Sequence, residues 1–110
     1  MIGLKDFEKI DIRVGTIVES SLNDKSNKPC IILIIDFGTK IGLKKTSAQL
    51  TKNYNPDELI GKQIAAVINF PPKQIGKMIS EILVLGFPDN KNEPILVMPS
   101  KKVLNGGKLF

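Results

Sequence analysis

The segment Ile31-Ile32-Leu33-Ile34-Ile35-Asp36-Phe37, ending at Gly38, narrows most what this chain can become. Consecutive branched aliphatic side chains favour an extended backbone, and a run without polar alternation implies burial on both faces of a sheet, one of them available to an interface. Upstream, Ile12, Val14, Thr16 and Val18 alternate with Arg13, Gly15, Ile17 and Glu19. That period of two predicts a half-buried first strand. Residues 20–29, rich in Ser, Asn, Asp and Pro, read as the loop that joins the two strands.

Residues 40–50 are more polar and predict a third strand. Residues 55–61 predict a short helix, with Asn55 at its cap, Pro56 in its first turn and Gly61 as its stop. A fourth strand over residues 63–70 is halted by Pro71-Pro72, and a fifth over residues 79–87 by Pro88. Residues 95–98 form a shorter sixth, and residues 4–10 space apolar side chains as one helical turn that lays Phe7 on a core or a partner. A parallel sheet needs several crossover helices, and this pattern supplies one short helix. The expectation is an all-β fold, a five-stranded Greek-key barrel of the oligonucleotide-binding (OB) type with one short helix before the fourth strand and short N- and C-terminal extensions.

At 110 residues, with no Pro, Gly and Ser linker, the chain is expected to form one domain over residues 1–110. No apolar run approaches the roughly 20 residues that span a bilayer, and residues 1–9 mix charge with apolar side chains, so a cytoplasmic protein is expected. Cys30 is the only cysteine, which rules out a disulfide within the chain and reads as a small apolar residue at the start of a strand.

There is no histidine, so the usual general base near neutral pH and the commonest metal ligand are both missing. Ser80-Glu81 lacks the base that a hydrolase would need, and Asp11, Asp36 and Glu81 are too scattered for a metal site. The expectation is a binding protein, not an enzyme, with no cofactor and no metal.

The net charge of +5 points to an acidic partner. Three stretches carry lysines without acids: Lys40, Lys44, Lys45 and Lys52, then Lys62, Lys73 and Lys77, then Lys101, Lys102 and Lys108. Merged into one basic face, they would bind a polyanion. Residues 69–77 add donors, Asn69, Lys73, Gln74 and Lys77, to a loop stiffened by prolines. Phe37, Phe70 and Phe87 precede Gly or Pro and are expected to pack at strand ends, leaving Tyr54 as the aromatic with a polar handle. With few rings to stack bases, folded RNA recognised by shape is the better fit.

Asp11-Ile12-Arg13-Val14-Gly15-Thr16-Ile17-Val18, Asp36-Phe37-Gly38, Lys44-Lys45-Thr46-Ser47-Ala48-Gln49-Leu50, Ile60-Gly61-Lys62-Gln63, Asn69-Phe70-Pro71-Pro72, Leu83-Val84-Leu85-Gly86-Phe87 and Asn105-Gly106-Gly107-Lys108-Leu109-Phe110 together resemble the tRNA-binding domain family along nearly the whole chain. That family includes domains appended to methionyl-tRNA synthetases and free-standing dimers, one branch of which is described as a chaperone for secretion. The resemblance implies an OB fold, a homodimer and a tRNA partner, with unfolded polypeptides or secretory preproteins as the alternative partner. It assigns RNA contacts to Lys45, Ser47, Asn69, Lys73, Gln74 and Ser80, with Lys44 and Lys77 supporting them at phosphates. Synthetase-type members tend to read Ser-x-Gly-Met where this chain has Ser80-Glu81-Ile82-Leu83, so Ser80 carries over and the Gly-Met pair does not. Phe7, Ile10, Leu109 and Phe110 are the expected dimer contacts.

Overall fold

The computed structural model describes residues 1–24 and 28–110. In chain order the elements are α1 (Leu4–Glu8), β1 (Ile12–Asn23), β2 (Cys30–Asp36), β3 (Leu43–Ala48), α2 (Pro56–Leu59), β4 (Gln63–Val67), β5 (Lys73–Ile75), β6 (Met78–Ser80), β7 (Leu83–Val84), β8 (Gly86–Pro88) and β9 (Pro94–Leu96). A curled five-stranded antiparallel sheet runs β3-β2-β1-β4-β7, and two hairpins, β5-β6 and β8-β9, complete the fold. It is the all-β, OB-like architecture that the strand pattern predicts.

β1 makes the curl possible because it serves two neighbours in turn. Its first half pairs with β4, from Ile12 opposite Val67 to Thr16 opposite Gln63. Its second half pairs with β2, from Thr16 opposite Asp36 to Asn23 opposite Cys30, and a register shift between Ile17 and Glu19 marks a bulge at Val18. A bulge adds a residue on one strand and bends it, which turns the sheet around the core. β1 therefore continues through Ser20-Ser21-Leu22-Asn23, residues expected in the loop. Pairing with the strongly extended β2 overrides their turn-forming composition. Residues 25–27 of the expected loop lie outside the described residues.

The core is built from one face of this sheet. Ile17, Ile31, Leu33, Ile35 and Ile64 are fully buried, joined by Phe37 and by Leu59 of α2. Ile32 and Ile34, on the other face of β2, are half-buried, so the run is covered on both sides but unequally. Cys30 is buried too. α2 caps the core, with Asn55 at its N-cap as expected and the Glu58 carboxylate accepting the Asn55 N–H at 2.7 Å. Gly61 ends the helix at a positive φ of 89° and donates its N–H to the Ile17 carbonyl at 2.8 Å.

Three sequence expectations change. The stretch predicted as one fifth strand is divided into β6, β7 and β8, because Glu81 turns to bond Lys45 while Leu85 donates to the Ala65 carbonyl. β4 stops at Val67, so Phe70 follows the end of pairing and is 48% exposed, while Phe87 stands opposite Ile95 on a two-stranded hairpin and is 69% exposed. Neither packs as a strand-end core residue. Tyr54 uses its polar handle internally: it packs against the core and its hydroxyl accepts the Leu96 N–H at 3.0 Å.

Asp89 organises the β8-β9 turn. Its carboxylate accepts from the Asn53 side chain at 2.9 Å and from the N–H groups of Glu93 and Lys91, and these bonds hold its pKa below the ordinary carboxylate value.

Gly15 is a point of close approach in the core. A Cβ there would lie 2.6 Å from Ile35 Cγ2 and 2.8 Å from the Phe37 ring. Gly15→Ala is expected to destabilise the fold by about 1–3 kcal/mol through overpacking, read as a lower urea midpoint at unchanged slope.

Candidate nucleic-acid interface

In OB-type barrels the ligand face lies over strands two and three, between the loops after the first and fourth strands. Here that location is a groove of about 610 Å³ lined by Asn23, Ile32, Lys45, Pro72, Lys77, Met78, Ile79 and Glu81. Strand alternation accounts for it. Lys45 stands opposite Ile34 and Ser47 opposite Ile32, so both share the outer face of the sheet, whereas Lys44 stands opposite the core residue Ile35. Adjacent lysines of one strand are thus sent to opposite faces, and only Lys45 reaches the groove.

The second wall is the β5-β6 hairpin, whose first strand and turn form inside the segment expected to be a loop and whose second strand overlaps the start of the expected fifth strand. Gly76 takes a positive φ of 62° at its tip, and the Gln74 amide donates back to the Gly76 carbonyl at 2.9 Å. Lys73, Gln74 and Lys77 are exposed on this hairpin. Among the described residues the ion pairs are Lys9 with Asp6 and Arg13 with Asp11, so Lys45, Lys73 and Lys77 are left uncompensated.

The hairpin is fastened to β3 at one seam. The Glu81 N–H donates to the Lys45 carbonyl at 2.9 Å, and Glu81 Oε1 accepts the Lys45 N–H at 3.0 Å. Beneath it the hydroxyls of Thr46 and Ser80 bond each other, and the one that accepts in that bond donates to the Ile82 carbonyl. Ser80 is 6% exposed. Its hydroxyl, expected to contact RNA, lies beneath the hairpin and bonds within the seam. Asn69 is likewise a brace. Its Oδ1 accepts the Asp11 N–H at 2.9 Å and its Nδ2 donates to the Lys9 carbonyl at 2.8 Å, so both ends of the amide are occupied in holding the α1 segment against the end of β4.

The lysines do not merge into one face. Lys102 and Lys108, with Arg13, border a second and larger hollow of about 830 Å³, whose wall is mainly apolar and includes Ile12, Val14, Val97, Met98, Leu104, Leu109 and Phe110. Of the expected dimer contacts, Leu109 and Phe110 line this hollow, while Phe7 and Ile10 belong to the α1 segment outside it. Phe7 is half-buried and Ile10 is 39% exposed.

The groove also holds residues that charge counting passes over: Ile32, Pro72, Met78 and Ile79 as an apolar floor, and Glu81 as its acid. The signal for Ile32 was the unbroken apolar run of β2, which had one face to spare. The acids weighed as metal ligands are all engaged elsewhere: Asp11 with Arg13 at 2.6 Å, Asp36 with the Gly38 N–H at 2.8 Å and Glu81 at the seam. Among the described residues no group of three ligating side chains converges, and no helix is long and apolar enough to cross a membrane.

Many of the motif residues serve the frame of this site. Gly106, at φ 91°, sits against the Phe37 carbonyl, where a Cβ would lie 2.5 Å from the oxygen. Asn105 Oδ1 accepts from the Thr16 hydroxyl at 2.7 Å and from Gln63 Nε2 at 3.1 Å, and Arg13 donates to the Gly106 carbonyl at 2.9 Å.

Comparison with known proteins agrees with this geometry. The CsaA chaperone protein of Picrophilus torridus superposes with a TM-score of 0.91 at 50% identity, covering 100% of both chains. The chaperone CsaA of Bacillus anthracis superposes with a TM-score of 0.93 at 43% identity, covering 100% of this chain and 99% of that one. A methionine–tRNA ligase of Porphyromonas gingivalis is 33% identical over 108 residues, which is 98% of this chain but 15% of the ligase. Residues 12–108 match the model of the family described as "Putative tRNA binding domain". The chain belongs to the tRNA-binding domain family.

Proposed function

We propose that residues 1–110 act as one cytoplasmic binding module that holds tRNA in the groove between the outer face of β2-β3 and the β5-β6 hairpin. The observation that carries this reading is the placement of uncompensated Lys45 and Lys77 on facing walls of a groove at the OB ligand face, in a chain of this family. Lys45, Lys73 and Lys77 meet phosphates, Ser47 and Gln74 lie beside them as polar contacts, and Lys44 adds charge from the other face of β3. Ser80 and Asn69 support the site from within. The ligase's chemistry does not transfer, since this chain matches a small part of that enzyme.

Total tRNA is expected to bind with an affinity that falls steeply as salt rises. Lys45→Glu with Lys77→Glu removes about two phosphate contacts, which flattens the slope of log affinity against log salt by about 1.5. Salt-insensitive binding, or an unaltered double variant, overturns the reading.

The apolar hollow at Leu109 and Phe110 supports a homodimer. Contiguous apolar surface of this kind, rimmed by Lys102 and Lys108, marks an association face. Two copies would then present two grooves to one RNA and gain from effective concentration. Sedimentation at micromolar concentration is expected to give twice the chain mass, and Leu109→Glu with Phe110→Glu to halve it. A monomeric parent chain removes the paired-site argument.

A second reading, binding of unfolded polypeptides or secretory preproteins, is favoured by Phe87 and Ile95, an exposed apolar pair across the β8-β9 hairpin that lies outside both hollows. On that reading the chain slows the aggregation of a chemically unfolded client protein, and Phe87→Ser weakens the effect. Light scattering that shows no protection at a several-fold excess of chain sinks it.

A further inference from the structure

We infer that Glu81 is the specificity-determining residue by which the groove distinguishes ribose from deoxyribose; the inference rests on the RNA-binding reading of that groove. Among the described residues Glu81 is the only acid that lines it, in company with Lys45 and Lys77. It is half-buried and held in place from both ends. Its N–H donates to the Lys45 carbonyl at 2.9 Å while Oε1 accepts the Lys45 N–H at 3.0 Å. Oε1 thus tethers the side chain to β3, and among the described residues the second carboxylate oxygen has no hydrogen-bond partner. Among the described residues no cation lies within ion-pair distance of it.

An open carboxylate in a groove that attracts polyanions repels phosphate, because phosphate oxygens accept hydrogen bonds and carry the same charge. It becomes favourable only where the ligand brings a donor to it. Along an RNA backbone that donor is the ribose 2′-hydroxyl, which recurs at every nucleotide and which DNA lacks. Lys45 and Lys77 would seat the phosphates on either side, and Glu81 would take the hydroxyl between them. Of the remaining lining, Ile32, Pro72, Met78 and Ile79 are apolar and would pack sugar and base faces, and Asn23 is polar.

The test uses the full chain and a fluorescent RNA hairpin, compared with the same hairpin carrying 2′-fluoro riboses, which keep the A-form shape and cannot donate. The parent chain is expected to bind the ribose hairpin about tenfold more tightly, the worth of one hydrogen bond to a charged group. Glu81→Gln can still accept the Lys45 N–H through its carbonyl oxygen, but it turns a donor toward the groove, so it is expected to bind the two hairpins within about twofold of each other. Equal, salt-dependent binding of both hairpins by the parent chain overturns the inference and leaves the RNA reading intact. A preference that survives Glu81→Gln does the same. Salt-dependent binding of neither hairpin overturns the RNA reading and takes this inference with it. Equal binding by the parent chain overturns the inference even if the variant is unstable.

Discussion

Everything else in this fold depends on the contact among Gly15, Phe37 and Gly106. β1 has to pass close enough to the end of β2 for the Phe37 ring to lie over Gly15, and any side chain at residue 15 would enter Ile35 and Phe37. Phe37 in turn offers its carbonyl to the underside of residue 106, where only glycine at positive φ leaves room. Phe37 thus joins three distant parts of the chain, by its ring at Gly15 and by its carbonyl at Gly106. Apolar burial drives the contact, and two glycines admit it by their lack of a side chain. With that point fixed, β1 can turn at Val18 from β4 to β2, and the outer face of β2-β3 becomes a stable wall for the groove.

The strands were legible because their chemistry is local. Alternation from Ile12 to Val18 and the apolar run of β2 each specify extended backbone without reference to any partner. Boundaries were less legible where a partner decides them. Ser20, Ser21 and Asn23 have the composition of a loop, yet they pair with Leu33, Ile32 and Cys30 because β2 is long enough to require neighbours along its whole length. The residues from Ile79 to Phe87 look like one strand, yet Glu81 and Leu85 bond to different strands and divide it. The β5-β6 hairpin was hidden by Pro71-Pro72 and by polar content, although Gly76 marks its turn.

The site was legible as charge and not as geometry. Counting lysines singles out Lys45 and Lys77, which line the groove, but which lysines share a face depends on the phase of β3 against β2, and that phase separates Lys44 from Lys45. Ser80, Asn69 and Tyr54 carry the polar groups of a ligand contact, and each makes hydrogen bonds inside the molecule. A buried hydroxyl or amide must find partners within the chain, and sequence does not reveal burial one residue at a time. The motifs that carry the family resemblance are therefore partly a record of how the frame is clasped: Arg13, Thr16, Gln63, Asn105 and Gly106 hold one another.

The same clasp settles what happens to an exposed sheet margin. The first half of β1 has β4 on one side, and on the other the carbonyl of Ile12 accepts the Leu109 N–H while Val14 exchanges bonds with Gly106 and Gly107. Gln63 fixes the approach to this segment by pairing its side-chain amide with both the N–H and the carbonyl of Val103, much as a neighbouring strand would. Without residues 103–109, those main-chain groups would form an open template on which a foreign strand could extend the sheet. A stretch that adds little to the core thus guards the molecule against edge-to-edge polymerisation.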